Sequence, residues 1–283
     1  MKKIGIVGCG FVGKAVDYGF TSNIEKFLVD PKLGTTLEDL GKFGPEFIFI
    51  CVPTPMSDDG NQDSSIIEEV LANINNMFND VVVIVKSTVL PNTILNISKM
   101  SDHFVYNPEF LREKSANEDF VNSDSLILGG DDDDIDKVYK LYREFSDCNI
   151  KEVYRTDIVS ASLVKYAINT FLASKVIFFN QLNSIYKNLI PENDWNNFIK
   201  IVSSDKRIGS SHMDVPGHDG RLGFGGACFP KDTSALLKLS SHLDEEFSLL
   251  KEVIKINNGI RGQYENLEKR EKEQGVNYKI DLE

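Results

Sequence analysis

The sequence predicts an α/β fold: a doubly wound parallel sheet, then a long connecting helix, then a small all-α domain. Three observations carry this reading. Short apolar runs alternate with stretches of helical spacing through the first half. A glycine cluster, Gly8-Cys9-Gly10-Phe11-Val12-Gly13, stands between the first apolar run and the first helical stretch. From Thr156 to Leu189, apolar residues recur at helical spacing with no proline or glycine to interrupt them.

The elements follow in order. Lys2 to Val7 is a short apolar run ending in glycine and reads as a buried strand, and Phe11 to Phe20 follows as a helix. Phe27 to Asp30 and Phe47 to Val52 read as the second and third strands, the latter stopped by Pro53. Ser64 to Met77 has helical spacing, and Val81 to Val85 is an entirely β-branched strand closed by Lys86-Ser87-Thr88. Pro91 to Met100 suits a helix with proline at its start. Ser125 to Leu128 is a late strand and Ile135 to Phe145 a helix. Asp131 to Asp134 precede that helix, where acidic side chains favour the macrodipole.

Beyond residue 155 the character changes. Ile158, Leu163, Tyr166, Ile168, Phe171, Leu172, Val176, Phe179 and Leu182 cover more than one helix face. A helix over 156–189 runs roughly 50 Å and suits a spine between domains or a dimer core. Glycines from 209 to 226 mark a loop, and Thr233 to Leu243 and Phe247 to Ile260 are helical again. The expected domains are therefore 1–155, the sheet domain; 156–260, the long helix and central helical domain; and 261–283, a charged C-terminal tail.

Composition narrows the function classes. The chain has 283 residues, 41% of them hydrophobic, enough to bury cores in about two domains. Its formal net charge is −12, which argues against a nucleic-acid backbone as partner. No continuous apolar run approaches the ~20 residues of a membrane span, so the expected location is cytoplasmic, with no membrane partner. The four cysteines, Cys9, Cys51, Cys148 and Cys228, lack CxxC spacing and nearby histidine pairs. They read as reduced thiols, with no metal site expected.

The glycine cluster has the GxGxxG pattern, in the strand-to-helix context that gives the pattern meaning. The first glycine permits the tight turn, the second a close approach of backbone to a pyrophosphate, and the third close helix–strand packing. Asp30 ends the next strand, where a carboxylate accepts bonds from ribose hydroxyls and repels a 2′-phosphate. A Rossmann-type domain using NAD is expected, with Gly8, Gly10, Phe11, Val12, Gly13 and Asp30 at the cofactor.

Further segments match one family in order: Cys51-Val52-Pro53-Thr54-Pro55, Lys86-Ser87-Thr88-Val89, Asn107-Pro108-Glu109-Phe110-Leu111-Arg112-Glu113, Lys165 with Asn169, and Gly223-Phe224-Gly225-Gly226-Ala227-Cys228-Phe229-Pro230-Lys231-Asp232. The sequence resembles the UDP-glucose 6-dehydrogenases and the wider nucleotide-sugar dehydrogenases over about residues 1–260. The resemblance implies an NAD-dependent four-electron oxidation of a primary alcohol to a carboxylate, with UDP-glucose as first candidate substrate. GDP-mannose or a UDP-N-acetylhexosamine is the alternative within the class, and a non-catalytic NAD-binding module the alternative outside it. A two-electron dehydrogenase leaves Cys228 unexplained.

The resemblance also implies roles. Cys228 is the nucleophile that forms a thiohemiacetal and then a thioester. Its place after two glycines and before a predicted helix favours the thiolate. Lys165 and Asn169, four apart on one helix face, are donors to an oxyanion. Asp232 manages a proton or a water and also suits a helix N-cap, Glu109 assists thioester hydrolysis, and Thr88 holds a water near the reacting carbon. Val52, Pro53, Thr54, Ser87, Thr88 and Glu113 lie at the cofactor. Glu109, Phe110, Leu111, Glu113, Lys165, Asn169, Arg207, Arg221, Phe224 and Gly225 lie at the substrate, with Arg207 reaching a neighbouring subunit's. A homodimer through the 156–189 helix is implied. Family members generally continue into a third, nucleotide-binding α/β domain, and the expectation here is that this domain is absent.

Overall fold

The valine- and isoleucine-rich runs of the first half form a single seven-stranded sheet in the computed structural model, which describes residues 1–192 and 194–280. The chain falls into two units: Met1–Thr54 with Asp63–Lys165, and Pro55–Gln62 with Tyr166–Glu283.

In the first unit the strands are β1 (Lys2–Val7), β2 (Ile24–Val29), β3 (Phe47–Ile50), β4 (Val82–Val85), β5 (Phe104–Tyr106), β6 (Ser125–Gly130) and β7 (Glu152–Thr156), in the spatial order β2-β1-β3-β4-β5-β6-β7. The first five are mutually parallel, whereas β6 runs antiparallel to β5 and β7 parallel to β6. The sheet is thus mixed rather than wholly parallel. The chain returns from β5 to the adjacent β6 without crossing the sheet, which only an antiparallel neighbour permits.

Helices α1 (Phe11–Gly19), α2 (Leu37–Phe43), α3 (Ser65–Met77), α4 (Pro91–Ile97), α5 (Ala116–Val121) and α6 (Asp132–Phe145) cover both faces, and α7 (Ile158–Leu189) begins on one of them. Phe47 and Phe49 of β3 face the α1, α5 and α6 side, while Ile48 and Ile50 face the α2, α3 and α4 side. Burial on both faces explains why the central strands read as continuous apolar runs. The edges differ. β2 begins three residues before the run that the sequence marks, and β7 lacks a strand pattern in the sequence, because both carry charged residues such as Glu25, Lys26, Glu152 and Arg155. Charge on an edge strand blocks pairing with another chain and also masks the strand pattern.

From β1 the chain turns one way to β2 and then passes to β3 on the other side, with Val7 opposite Ile50. The loops after β1 and β3 therefore open side by side at a topological switch point, where such sheets bind ligands.

In the second unit α7 continues, joined by α8 (Trp195–Val202), α9 (Phe229–His242), α10 (Ser248–Arg261) and α11 (Lys269–Glu273). Its apolar clusters centre on Ala173, Ile177, Phe224 and Val253, and on Phe179, Trp195 and Met213. A third cluster joins Met56 to Val276 and Tyr278. Residues 261–280 are thus packed, whereas the sequence reads as a charged tail. Val276, Tyr278 and Ile280 alternate with Asn277 and Lys279, and the apolar set turns inward. Residues 281–283 of that tail lie outside the described residues.

Helix α7 also corrects the expectation about apolar length. By length and composition it is long and apolar enough to cross a bilayer. In this fold Tyr166, Ala173, Ile177 and Phe179 of that helix are buried against protein.

The aromatic centre of the sheet yields a stability prediction. Phe49 is fully buried, with ring centroids 5.2 Å from Phe20 and 6.2 Å from Tyr142. Phe49→Ala is expected to cost the first unit about 3–5 kcal/mol, read as a lower urea midpoint with retained helical circular dichroism before the transition.

Candidate active site

The glycine loop is built from backbone contacts. Gly8 has φ of +91° and donates its N–H to Val29 O at 2.9 Å. A Cβ on Gly13 would stand 1.9 Å from Gly8 O, so α1 approaches β1 as closely as glycine allows. A Cβ on Gly10, by contrast, would meet nothing within 4 Å, so the loop is open on that side. Asp30 Oδ2 accepts the Cys9 N–H at 2.7 Å and Oδ1 accepts the Lys32 N–H at 2.9 Å. Each carboxylate oxygen has a further acceptor position for a ribose hydroxyl. The open backbone at Gly10, the N-terminus of α1 and the placed carboxylate of Asp30 fit a dinucleotide. Phe11 and Val12 open α1 and pack partly into the core.

The loops after β3 and β4 are tied together at the same end of the sheet. Ser87 Oγ donates to Val52 O at 2.7 Å, and Thr54 Oγ1 donates to Thr88 O at 2.7 Å. Pro53 lies exposed between the buried Val52 and Thr54. Lys86, named in the sequence only as part of a motif, is buried beneath them. Its ammonium donates to Asn107 Oδ1 at 3.0 Å, and Tyr142 donates its hydroxyl to the same oxygen at 2.7 Å. Burial holds the Lys86 pKa below the ordinary lysine value, although Cys51 and Glu109 pull it the other way. Asn107 in turn donates to Ile127 O at 2.9 Å, so this trio anchors the start of the Asn107–Glu113 segment.

Glu109 and Lys165 meet in the first unit. Lys165 donates to Glu109 O and, at 3.2 Å, to Glu109 Oε1, while Glu109 Oε2 accepts the Leu111 N–H at 2.7 Å. Both side chains are buried. The Lys165 ammonium also lies 5.1 Å from the centroid of the Phe110 ring. Glu113 is farther along, at the start of a 3₁₀ turn, and exposed.

The second cluster lies in the second unit. Asn169 Nδ2 donates to Asp232 Oδ2 at 2.6 Å, and Lys231 donates to Asp232 Oδ1. Asp232 is fully buried. Helix α9 begins at Phe229, four residues before the expected start, because Pro230 falls in its first turn, where proline costs no hydrogen bond. The N-cap is therefore Cys228, and Asp232 lies one turn inside, its N–H bonded to Cys228 O at 2.9 Å. Asp232 is not an N-cap. Lys231, whose direction is illegible in sequence, pairs with Asp232.

The loop before Cys228 is gripped through its backbone. Asn180 Oδ1 accepts the Gly223 N–H at 2.9 Å, and Asn257 Oδ1 accepts the Phe224 N–H at 2.8 Å. Phe224 is buried, and Gly225 passes beside Arg261. Arg221 donates to Asn266 O at 2.8 Å and stacks on Tyr264, with its guanidinium 5.0 Å from the ring centroid. Arg207 is 89% exposed at its side chain and pairs with Asp205, its partner among the described residues of the second unit.

Residues 35–146 match the UDP-glucose/GDP-mannose dehydrogenase family, NAD binding domain, and residues 159–259 match the central domain of the same family. The chain belongs to the UDP-glucose/GDP-mannose dehydrogenase family. It is 34% identical over 256 residues to UDP-glucose 6-dehydrogenase YwqF of Bacillus subtilis (strain 168), covering 85% of this chain and 55% of the relative. It is 35% identical over 220 residues to UDP-glucose 6-dehydrogenase of Rickettsia bellii (strain RML369-C), covering 75% and 49%. The structure of a UDP-glucose dehydrogenase from the hyperthermophilic archaeon Pyrobaculum islandicum superposes with a TM-score of 0.75 at 28% identity, covering 92% of this chain and 68% of that one. The chain spans about half the length of the curated relatives it matches.

The thiols of this family member differ in environment. Burial, with Asp30 and Asp17 nearby, pushes Cys9 up to about 11, and burial pushes Cys51 up to about 12. Burial also raises Cys148. At pH 8 a thiol of pKa 11 is only about one-thousandth thiolate, and alkylation needs the thiolate. Limiting iodoacetamide at pH 8 is therefore expected to label Cys228 first, with the peptides of Cys9, Cys51 and Cys148 unmodified by mass spectrometry.

Proposed function

We propose that this chain carries out the NAD-dependent four-electron oxidation of a nucleotide sugar at C6, with UDP-glucose as substrate and UDP-glucuronate as product. The observation that carries the reading is the cysteine at the N-cap of α9, one turn before a buried aspartate held by Asn169 and Lys231. The chain's similarity to two UDP-glucose 6-dehydrogenases supports it.

When bound, NAD supplies hydride acceptance, held by Gly8, Gly10, Gly13 and Asp30. Each residue then has a task that its surroundings suit. Cys228, at the positive end of α9, adds as thiolate to the C6 aldehyde: a C–S bond forms and the carbonyl π electrons move to oxygen. Lys165 and Asn169, one turn apart on α7, are the proposed donors to that oxygen. That adduct is a thiohemiacetal; it would lose hydride from C6 to a second NAD, which leaves a thioester, and hydrolysis of the thioester adds water at carbon, breaks the C–S bond and returns Cys228 as thiolate. Asp232 and Glu109 are the proposed proton acceptors, and Thr88 the proposed holder of the water. The proposed nucleotide-sugar contacts are Phe110, Leu111, Glu113, Arg221, Phe224 and Gly225, with Arg207 serving a neighbouring subunit. The proposed cofactor contacts also include Val52, Pro53, Thr54 and Ser87.

The expected outcome with UDP-glucose is two NADH per sugar consumed. Cys228→Ser is expected to lower steady-state acid release by at least about a thousandfold while NAD binding stays within twofold by calorimetry. A stoichiometry of one NADH, or full acid release by the serine variant, would sink the thioester route. Turnover of GDP-mannose or a UDP-N-acetylhexosamine in preference to UDP-glucose would reassign the substrate within the class.

We further propose a homodimer through α7. Phe171, Phe178, Ile185 and Leu189 stand on α7 at spacings of seven and four and are 57–75% exposed. An apolar stripe of this period is what a helix–helix seam requires. Light scattering at micromolar concentration is expected to give twice the chain mass of 31.8 kDa, and Phe178→Glu to halve it. A monomeric wild type would overturn the assignment.

A further inference from the structure

Residues 261–280 lie beyond the matched central domain, yet they hold the loop that leads to Cys228. Glu271 on α11 is fully buried. Its Oε1 accepts the Gly226 N–H at 3.1 Å and the Tyr278 hydroxyl at 2.7 Å, and its Oε2 accepts the Glu268 N–H at 2.7 Å. Burial and the bond to Glu271 push the Tyr278 hydroxyl well above its ordinary pKa, so it stays a donor. Arg261, also buried, donates to Asp219 Oδ2 at 2.6 Å and to Gly223 O at 2.9 Å. Gly225 threads between the two groups: a Cβ there would stand 2.6 Å from Arg261 Nη1 and 2.7 Å from Glu271 Oε1.

We infer that Glu271 is a positioning residue for Cys228. It touches neither substrate nor cofactor in this scheme; it acts through the Gly226 amide, two residues before the cysteine. A part-buried N–H that loses its acceptor seeks another conformation, and Gly226, at φ of +77°, has the freedom to find one. Cys228 then leaves the N-cap position in which the first amides of α9 favour its thiolate. Tyr278 and the Met56–Val276 cluster fix Glu271 in turn, which gives a polar C-terminal segment a task in the site. The inference rests on the reading of Cys228 as nucleophile.

The test compares Glu271→Ala, Glu271→Asp and Glu271→Gln in the full chain. Glutamine keeps an acceptor oxygen at the same reach, whereas aspartate keeps the charge and falls one methylene short. Expected are about tenfold slower iodoacetamide labelling of Cys228 and an about tenfold lower kcat for Ala and Asp, with KM for NAD within twofold, and at least half of both rates retained by Gln. If Glu271→Ala does not fold, Glu271→Asp carries the comparison. Wild-type labelling in a folded Ala or Asp variant overturns the inference, as does a glutamine variant as slow as alanine. Activity surviving in Cys228→Ser overturns the nucleophile reading instead. The labelling contrast, which needs no turnover, separates that failure from this one.

Discussion

Burying charge without leaving it unmatched is the constraint on which the rest of this structure depends. An ammonium or carboxylate withdrawn from water costs several kcal/mol unless an opposite charge or aligned dipoles meet it. This chain buries Lys86, Glu109, Lys165, Lys231, Asp232, Arg261 and Glu271. Lys165 meets Glu109, Lys231 meets Asp232, and Arg261 meets Asp219. Lys86 is met by the carbonyl oxygens of Asn107, and Glu271 by N–H and O–H donors. Each solution fixes a backbone segment: the start of the Asn107–Glu113 stretch, the first turn of α9, or the loop before Cys228.

The sheet supplies the rigid side of this arrangement. Its central strands are buried on both faces, so their register has no freedom to slip. The loops after β1, β3 and β4 are held to one another by Cys51 N–H to Val7 O, Ser87 Oγ to Val52 O, and Thr54 Oγ1 to Thr88 O. A dinucleotide cradle needs such pre-set backbone, since its affinity comes from N–H groups aimed before the ligand arrives. In the second unit the same economy appears in Asn180 and Asn257, whose side chains replace a neighbouring strand for residues 223 and 224.

Much of this was legible beforehand, and the reasons are specific. β3 and β4 are continuous apolar runs, β1 is apolar from Ile4 to Val7, and α7 is a long pattern with no breaker, so local chemistry alone declares them. The bond between Asn169 and Asp232 is not legible in the sequence, because 63 residues separate the two. β5 spans three residues and α2 seven, too short for either period to register. The start of α9 is hidden in the sequence because Phe229-Pro230-Lys231-Asp232 has no apolar period, and proline in a first turn is the one signal that marks it.

By itself the sequence determined the α/β class, the glycine cradle with Asp30, the long helix and the family, since each rests on local spacing or a contiguous motif. Only the tertiary structure decided that β6 and β7 run against the rest of the sheet, that Lys86 is buried on Asn107, and that Pro55–Gln62 folds with the second unit rather than with its neighbours in sequence. Met56 donates its N–H to Gln274 O across more than two hundred residues, and Glu271 finds Gly226 across 45. Such contacts join polar segments that carry no period of their own. What selects them is the cost of leaving a buried donor or charge unmet, which becomes definite only when the chain has closed around it.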